Sequence, residues 1–238
     1  NGTSSATPVK TLAKARQLPY AGDSLLFRAG TTSTGTLWFT HSGTLSQPIT
    51  IGKYGEGGLP LLAGNGASTV INLDNTSYVT LQDLEISNCK TLDWVQSSNV
   101  VRSGITGSSS RGGAVKGVLL QRLYVHDVGA WPQSNDPDDL WYMGWGVAFD
   151  AKRQDPTNSA TMSWFDGLTV QNCFFANVVK GLRIADWGDR GRDSGGKLLA
   201  PNRNVVFRNN VFFRSASTSM FLCTTDGALV ENNEFYGT

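Results

Sequence analysis

The chain has 238 residues, 39% hydrophobic and 16% charged, with 27 glycines and a formal net charge of +1. That length can bury a substantial core in one domain spanning 1–238, and the balance excludes a disordered, collagen-like or coiled-coil chain in favour of a turn-rich all-β protein. Near-neutrality leaves no global field for nucleic acid or an anionic membrane, so neither is expected as a partner.

In chain order, Asn1 to Ala6 are small and polar, unlike a signal peptide, so any leader is expected to have been removed. Val9 to Gln17 reads as a short helix covering the apolar end of the downstream strands. No apolar run approaches the ~20 residues that span a bilayer.

From residue 79 onward the sequence repeats. The windows VTLQDLEISN (from Val79), VLLQRLYVHD (Val118), LTVQNCFFAN (Leu168), VVFRNNVFFR (Val205) and ALVENNEFYG (Ala228) share apolar first, third and eighth columns. Alternation at columns one and three predicts a strand with one face inward. Columns four and five are polar and rich in Asn, which tolerates unusual backbone angles, so they predict a bend and a side-chain ladder between coils. Column eight begins a second strand. A third strand precedes the windows, at Ile71-Leu73, Val147-Phe149, Leu182-Ile184 and Met220-Leu222, and less clearly around Val101. An uninterrupted coil takes 23 residues. Such a repeat predicts a solenoid, the parallel β-helix, rather than a flat sandwich.

The N-terminal part adds a resemblance. Gly22-Asp23, Arg28-Ala29-Gly30-Thr31, Ser42-Gly43-Thr44 and Pro48-Ile49-Thr50-Ile51 resemble the opening of many secreted right-handed parallel β-helix proteins, over about residues 9–89. Within that fold the chain is most similar to alginate- and chondroitin-type polysaccharide lyases. The resemblance implies a secreted or periplasmic depolymerase of an acidic, uronate-containing polysaccharide, a lyase in preference to an inverting hydrolase. It has gaps. Where those lyases place paired acids and a basic residue, this chain has Met220, Phe221, Leu222, Cys223 and Thr224. The paired Asp and Gly-His-Gly signatures of polygalacturonases are also absent. A non-catalytic carbohydrate-binding or adhesin-like solenoid is therefore the alternative.

Departures from the coil length point to a site. Eight residues should separate the third strand from the next window, yet 21 follow Val147, 23 follow Leu182 and about 17 follow Val101. At the opposite edge, 22 residues run from Val125 to Val147 and carry the segment WPQSNDPDDLWYMGW. Loops on a rigid scaffold commonly carry function. Here they would wall a groove floored by the outward face of the third strand. Alternation puts Asn72, Asp74, Ala148, Asp150, Arg183, Ala185, Phe221 and Cys223 on that floor, and Arg102 with them if Val101 points inward. Asp74 and Asp150 share a column two coils apart, about 9–10 Å at ~4.8 Å per coil.

Two chemistries fit. For β-elimination, Arg183 or Lys152 would abstract the proton α to a uronate carboxyl. For hydrolysis, Asp150 would act with Asp74 or Asp186, since inverting enzymes hold their carboxyls ~6.5–9.5 Å apart. Trp131, Trp141, Trp145 and Trp187, with Arg102, are the candidate substrate contacts; Trp164 lies nearby, and all these rings could equally bury the loops. Asp136, Asp138 and Asp139, beside Asn135, are candidate calcium ligands, and Asp189 and Asp193 flank Asp186 in a second acidic loop. His126 reads as a turn residue bonded to Asp127. Cys89, Cys173 and Cys223 match no metal or redox spacing and read as buried free thiols. The Asn75-Thr76-Ser77 sequon carries no weight. Glu231 to Thr238 ends on a second strand, so further coils or a second chain are expected to cover that edge.

Overall fold

The computed structural model describes residues 2–89, 101–129, 144–152, 161–185, 192 and 194–237. The chain winds as a right-handed parallel β-helix of three sheets. The first sheet includes Ser24–Arg28, Ile49–Tyr54, Val79–Gln82, Gly113–Gln121, Ser163–Gln171, Val206–Arg208 and Leu229–Glu231. The second stacks Thr32–Thr34, Leu61–Ala63, Glu85–Asn88, Tyr124–Val128, Phe174–Val178, Val211–Ser215 and Glu234–Tyr236. The third stacks Leu37–Phe39, Thr69–Asp74, Ser103–Ser109, Trp145–Ala151, Lys180–Ala185 and Met220–Leu222. All are parallel, and apart from a register shift at Asp127, where Tyr124–Val128 pairs with Glu85–Asn88, each residue sits above its counterpart one coil earlier.

The repeat columns obey that register. Val79, Val118 and Leu168 align, and Ile86, Val125, Phe175 and Phe212 are fully buried. Phe175, Phe212 and Phe235 stack with centroids 4.7 and 5.1 Å apart. The register also carries the repeat back to Ile49-Ile51 and Leu62, upstream of the first window.

The bend at column five is a single left-handed residue. Asp83, Arg122, Asn172, Asn209 and Asn232 have φ of 57°, 51°, 54°, 55° and 51°, the region where Asn and Asp are enriched. A second left-handed column, Asp127, Asn177 and Arg214, ends the second sheet. The ladders form one position to either side of column five. Outside, Gln121 Nε2 donates to Gln82, Gln171 Nε2 to Gln121 and Arg208 Nε to Gln171, each at 2.9 Å. Inside, Asn210 Nδ2 donates to Asn233 Oδ1 and to Val170 O, while its Oδ1 accepts from Cys173 N.

Three expectations are corrected. The capping helix covers only Leu12–Ala15. Thr11 caps it, the turns after it tighten to i→i−3 bonds, and Pro19 disfavours helical backbone just before it. Leu12 and Ala15 do pack on the core. The third strand of its coil runs from Ser103, not around Val101; Ile105 aligns with Ile71 and Val147, and Val101 is exposed. The insertions after the third strand are partly strand, because Gly113–Gln121 and Ser163–Gln171 are nine residues long and pair along their extra length.

No disulfide joins the three cysteines to one another, and only Cys173 is buried. Burial pushes its thiol up to about 12 from 9.0, since desolvation disfavours the thiolate. Its contribution to stability is present below pH 9 and is lost as pH climbs toward 12, where only the unfolded chain ionises. Cys173→Val should flatten that slope in denaturant titrations, and a thiol reagent should label Cys173 only on unfolding. Asn210→Ala leaves Cys173 N–H and Val170 C=O unpaired in the core and should cost about 2–4 kcal/mol in urea denaturation. A cost below about 0.5 kcal/mol would show that the inner ladder does not hold the coils.

Candidate functional site

The outward face of the third sheet carries two columns. Register aligns Trp38, Asn72, Thr106, Ala148, Arg183 and Phe221 in one. Asp74, Ser108, Asp150 and Ala185 form the next. Ile71, Leu73, Val147, Phe149, Leu182 and Ile184 alternate with these and are buried inward. Asp74, Asp150 and Arg183 thus share one surface.

Arg183 Nη2 forks across both oxygens of Asp150, at 2.9 Å to Oδ1 and 2.6 Å to Oδ2. The pair is shielded, with the Arg183 side chain 11% exposed and that of Asp150 26%. The guanidinium also lies 5.1 Å from the ring centre of Trp145, and Lys180 Nζ lies 5.2 Å from the same ring. Cations over an indole face are attracted by its quadrupole, more so when desolvated. Burial lowers the Lys180 ammonium below the usual lysine value, and the Arg183 charge lowers it further. Phe221, one coil on, comes within 6.4 Å of Trp145, centre to centre.

Two coils toward the N-terminus, Asp74 accepts from the Ser108 hydroxyl and, at 3.0 Å, from Asn75 Nδ2. Asn75 holds a φ of 53°, which turns its amide back on the strand end. Asn72 Nδ2 donates to Thr106 Oγ1 at 3.1 Å. With Ser108 between them, Asp74 and Asp150 are about 9–10 Å apart at the coil spacing of parallel strands. The floor is open at one end, where Trp38 is 45% exposed, and closed around Ala148, Ala185 and Arg183.

Trp145 is not a loop residue. It begins a third-sheet strand and is buried, so it packs under Arg183 and Lys180 instead of facing a groove. Lys152 is exposed just past the end of that strand. Arg102 stands just before Ser103–Ser109 and outside the strand, and with Val101 exposed the premise for placing it on the floor is not met; its Nε is buried without a hydrogen-bond partner. Asp186, Trp131, Trp141, Trp187, Asp136, Asp138 and Asp139 lie outside the described residues, as do Asn135, Asp189 and Asp193. Among the described residues no cluster of three His, Cys, Asp or Glu side chains could hold a metal ion. Nor does any described helix have the length and apolarity to cross a membrane. His126 is on the second sheet, bonded to Asp127 at 2.7 Å and Glu85 at 2.9 Å and stacked on Tyr124.

Sequence patterning alone misses Lys180, Ser108 and Trp38. Lys180 stands two residues before Leu182, and the register equates it with Trp145. Trp38 sits between Leu37 and Phe39, a clear in-out-in triplet. Either could be found by extending the third-strand columns by one more position or one more coil.

No protein-family model matches the chain. The lacto-N-biosidase of Bifidobacterium longum subsp. longum is 25% identical over 302 aligned residues, which cover 98% of this chain and 18% of that protein. The chain therefore spans about a fifth of that relative's length. A GH136 lacto-N-biosidase from Eubacterium ramulus superposes with a TM-score of 0.59 at 17% identity, covering 99% of this chain and 54% of that one. The PL6 polysaccharide lyase Pedsa3628 from Pseudopedobacter saltans gives a TM-score of 0.46 at 17% identity, covering 95% and 52%. The chain has the β-helix fold of carbohydrate-active proteins.

Proposed function

We propose that this chain is the β-helix of a glycan-degrading enzyme that cleaves by hydrolysis at the outward face of its third sheet. One observation carries the reading: Asp150 and Asp74 stand in one column, two coils apart, each held by hydrogen-bond donors. Their spacing of about 9–10 Å lies at the upper edge of the inverting range and leaves room for a water beside the sugar. Asp150, held in place by the Arg183 fork, is positioned to act as the base. Asp74, fed by the Ser108 hydroxyl and the Asn75 amide, is the second carboxylate. Asp186, next in the chain after Ala185, is the other candidate for the proton donor. The likeness to lacto-N-biosidase, a name that denotes a glycosidase, supports the same reaction class. A polymeric glycan as substrate would place the enzyme outside the cytoplasm.

Arg183 is unsuited to the base role that β-elimination needs, because a guanidinium does not give up its proton in proteins. A second reading keeps elimination with different residues. Lys180, its ammonium lowered by burial, would take the α-proton of a uronate while Arg183 neutralises the carboxylate. That pair stands one coil before Met220 to Thr224, the stretch where the resemblance to lyases would put the catalytic groups.

The two readings separate on one assay. Incubation with alginate, pectin, chondroitin sulfate, xylan and mucin-type glycans should release reducing ends without the ultraviolet absorbance of an unsaturated uronate. Asp150→Asn, which keeps an acceptor for Arg183, should lower turnover by about 10²–10⁴-fold, with circular dichroism checking that the variant is folded. Asp74→Asn should lower it by a similar factor. Unsaturated product that disappears in Lys180→Ala would instead establish elimination. Binding of a polymer with no new ends would leave a carbohydrate-binding solenoid.

A further inference from the structure

The paired acids leave most of the third sheet's outward face unused. Trp38 lies on it, in the column of Arg183 and in register with Asn72, and its 45% exposure is unlike the burial of Trp145. It is the only described tryptophan among the exposed large hydrophobic residues. Its neighbours in sequence, Leu37 and Phe39, are completely buried, so the strand is anchored and the indole is presented outward from a rigid base. An aromatic ring left in water on a sheet face forfeits the free energy of its burial.

Between Trp38 and the acids the floor is polar. Asn72 bonds to Thr106, and the Asn72 Oδ1 atom is buried with no hydrogen-bond partner. Beyond them lie Asp74 and Ser108, then Asp150. An apolar ring succeeded by hydroxyl, amide and carboxylate groups matches a sugar chain, whose pyranose faces present C–H and whose rims present hydroxyls. Trp38 and Asp150 are separated by three coils, about 14 Å at the parallel spacing. A single sugar does not reach across that distance; an oligosaccharide running along the helix axis does.

We infer that the third sheet binds an extended glycan lengthwise, with Trp38 as a distal stacking platform, so that the substrate class is an oligo- or polysaccharide gripped over several residues. The inference rests on the proposed function for where the chain is cut, but not for where it is held. Trp38→Ala should weaken retention on the polymer that wild type binds by roughly three- to tenfold, about the worth of one aromatic contact. Trp38→Phe, which keeps a flat ring, should restore most of it. The loss should be confined to long oligosaccharides, with fragments too short to span both sites bound equally by wild type and variant.

Affinity electrophoresis in gels cast with each of the five polymers, and then titration with size-fractionated fragments, reads these effects. Wild type unretained by every polymer, or Trp38→Ala retained as well as wild type, overturns the inference. If cleavage persists while Trp38→Ala behaves as wild type on long and short fragments, only the distal platform falls. If no polymer is cut yet retention depends on Trp38, the platform stands and the hydrolytic reading falls.

Discussion

In a parallel β-helix each coil is hydrogen-bonded in register to the coils before and after it, and a slip by one residue would turn every inward side chain outward. That coupling is the constraint on which the rest of this structure depends. It lets Phe175, Phe212 and Phe235 stack inside at the spacing of the backbone itself. It also makes an outward column as rigid as an inward one, so Asp74, Ser108 and Asp150 are spaced by the scaffold and not by their own side chains.

Close packing fixes the composition of the columns as well. Gly104, Gly146 and Gly181 occupy one inward column where the second and third sheets meet. A Cβ on Gly181 would lie 2.2 Å from Ser219 O and 2.8 Å from the Phe212 ring, and one on Gly146 2.9 Å from Gly181 O. Trp145 and Lys180, just before that column, are thereby held at the corner where they flank Arg183. The ion pair of Arg183 with Asp150 is thus supported from the core outward: glycine lets the corner close, the corner presents the indole, and the indole faces the guanidinium. A shielded pair of this kind contributes modestly to stability, but losing one partner strands the other.

Most of the coil was legible in the sequence because apolar side chains are obligatory where coils stack, and column five needed residues tolerant of left-handed backbone. Legibility failed at Ser103–Ser109 for the same physical reason in reverse. That strand reads Ser-Gly-Ile-Thr-Gly-Ser-Ser, with one strongly apolar residue. A Cβ on Gly107 would lie 2.3 Å from the Phe149 ring, so a neighbouring coil fills the space that a larger side chain would otherwise occupy. Alternation in one strand was hidden because its neighbours supplied the bulk. The candidate site was legible as a surface, through Asp74, Asp150 and Arg183. Its local chemistry was not, because the contacts of Lys180 with Trp145 and of Ser108 with Asp74 join residues tens of positions apart whose only link is the register.

We propose that glycan is held and cut on the outward face of the third sheet. A crystal structure of the Asp150→Asn variant with a bound oligosaccharide tests it directly. Sugar density should lie along the columns of Asp74 and Arg183, parallel to the helix axis. Density on the outward face of the first or second sheet, with the third sheet bare, would contradict it.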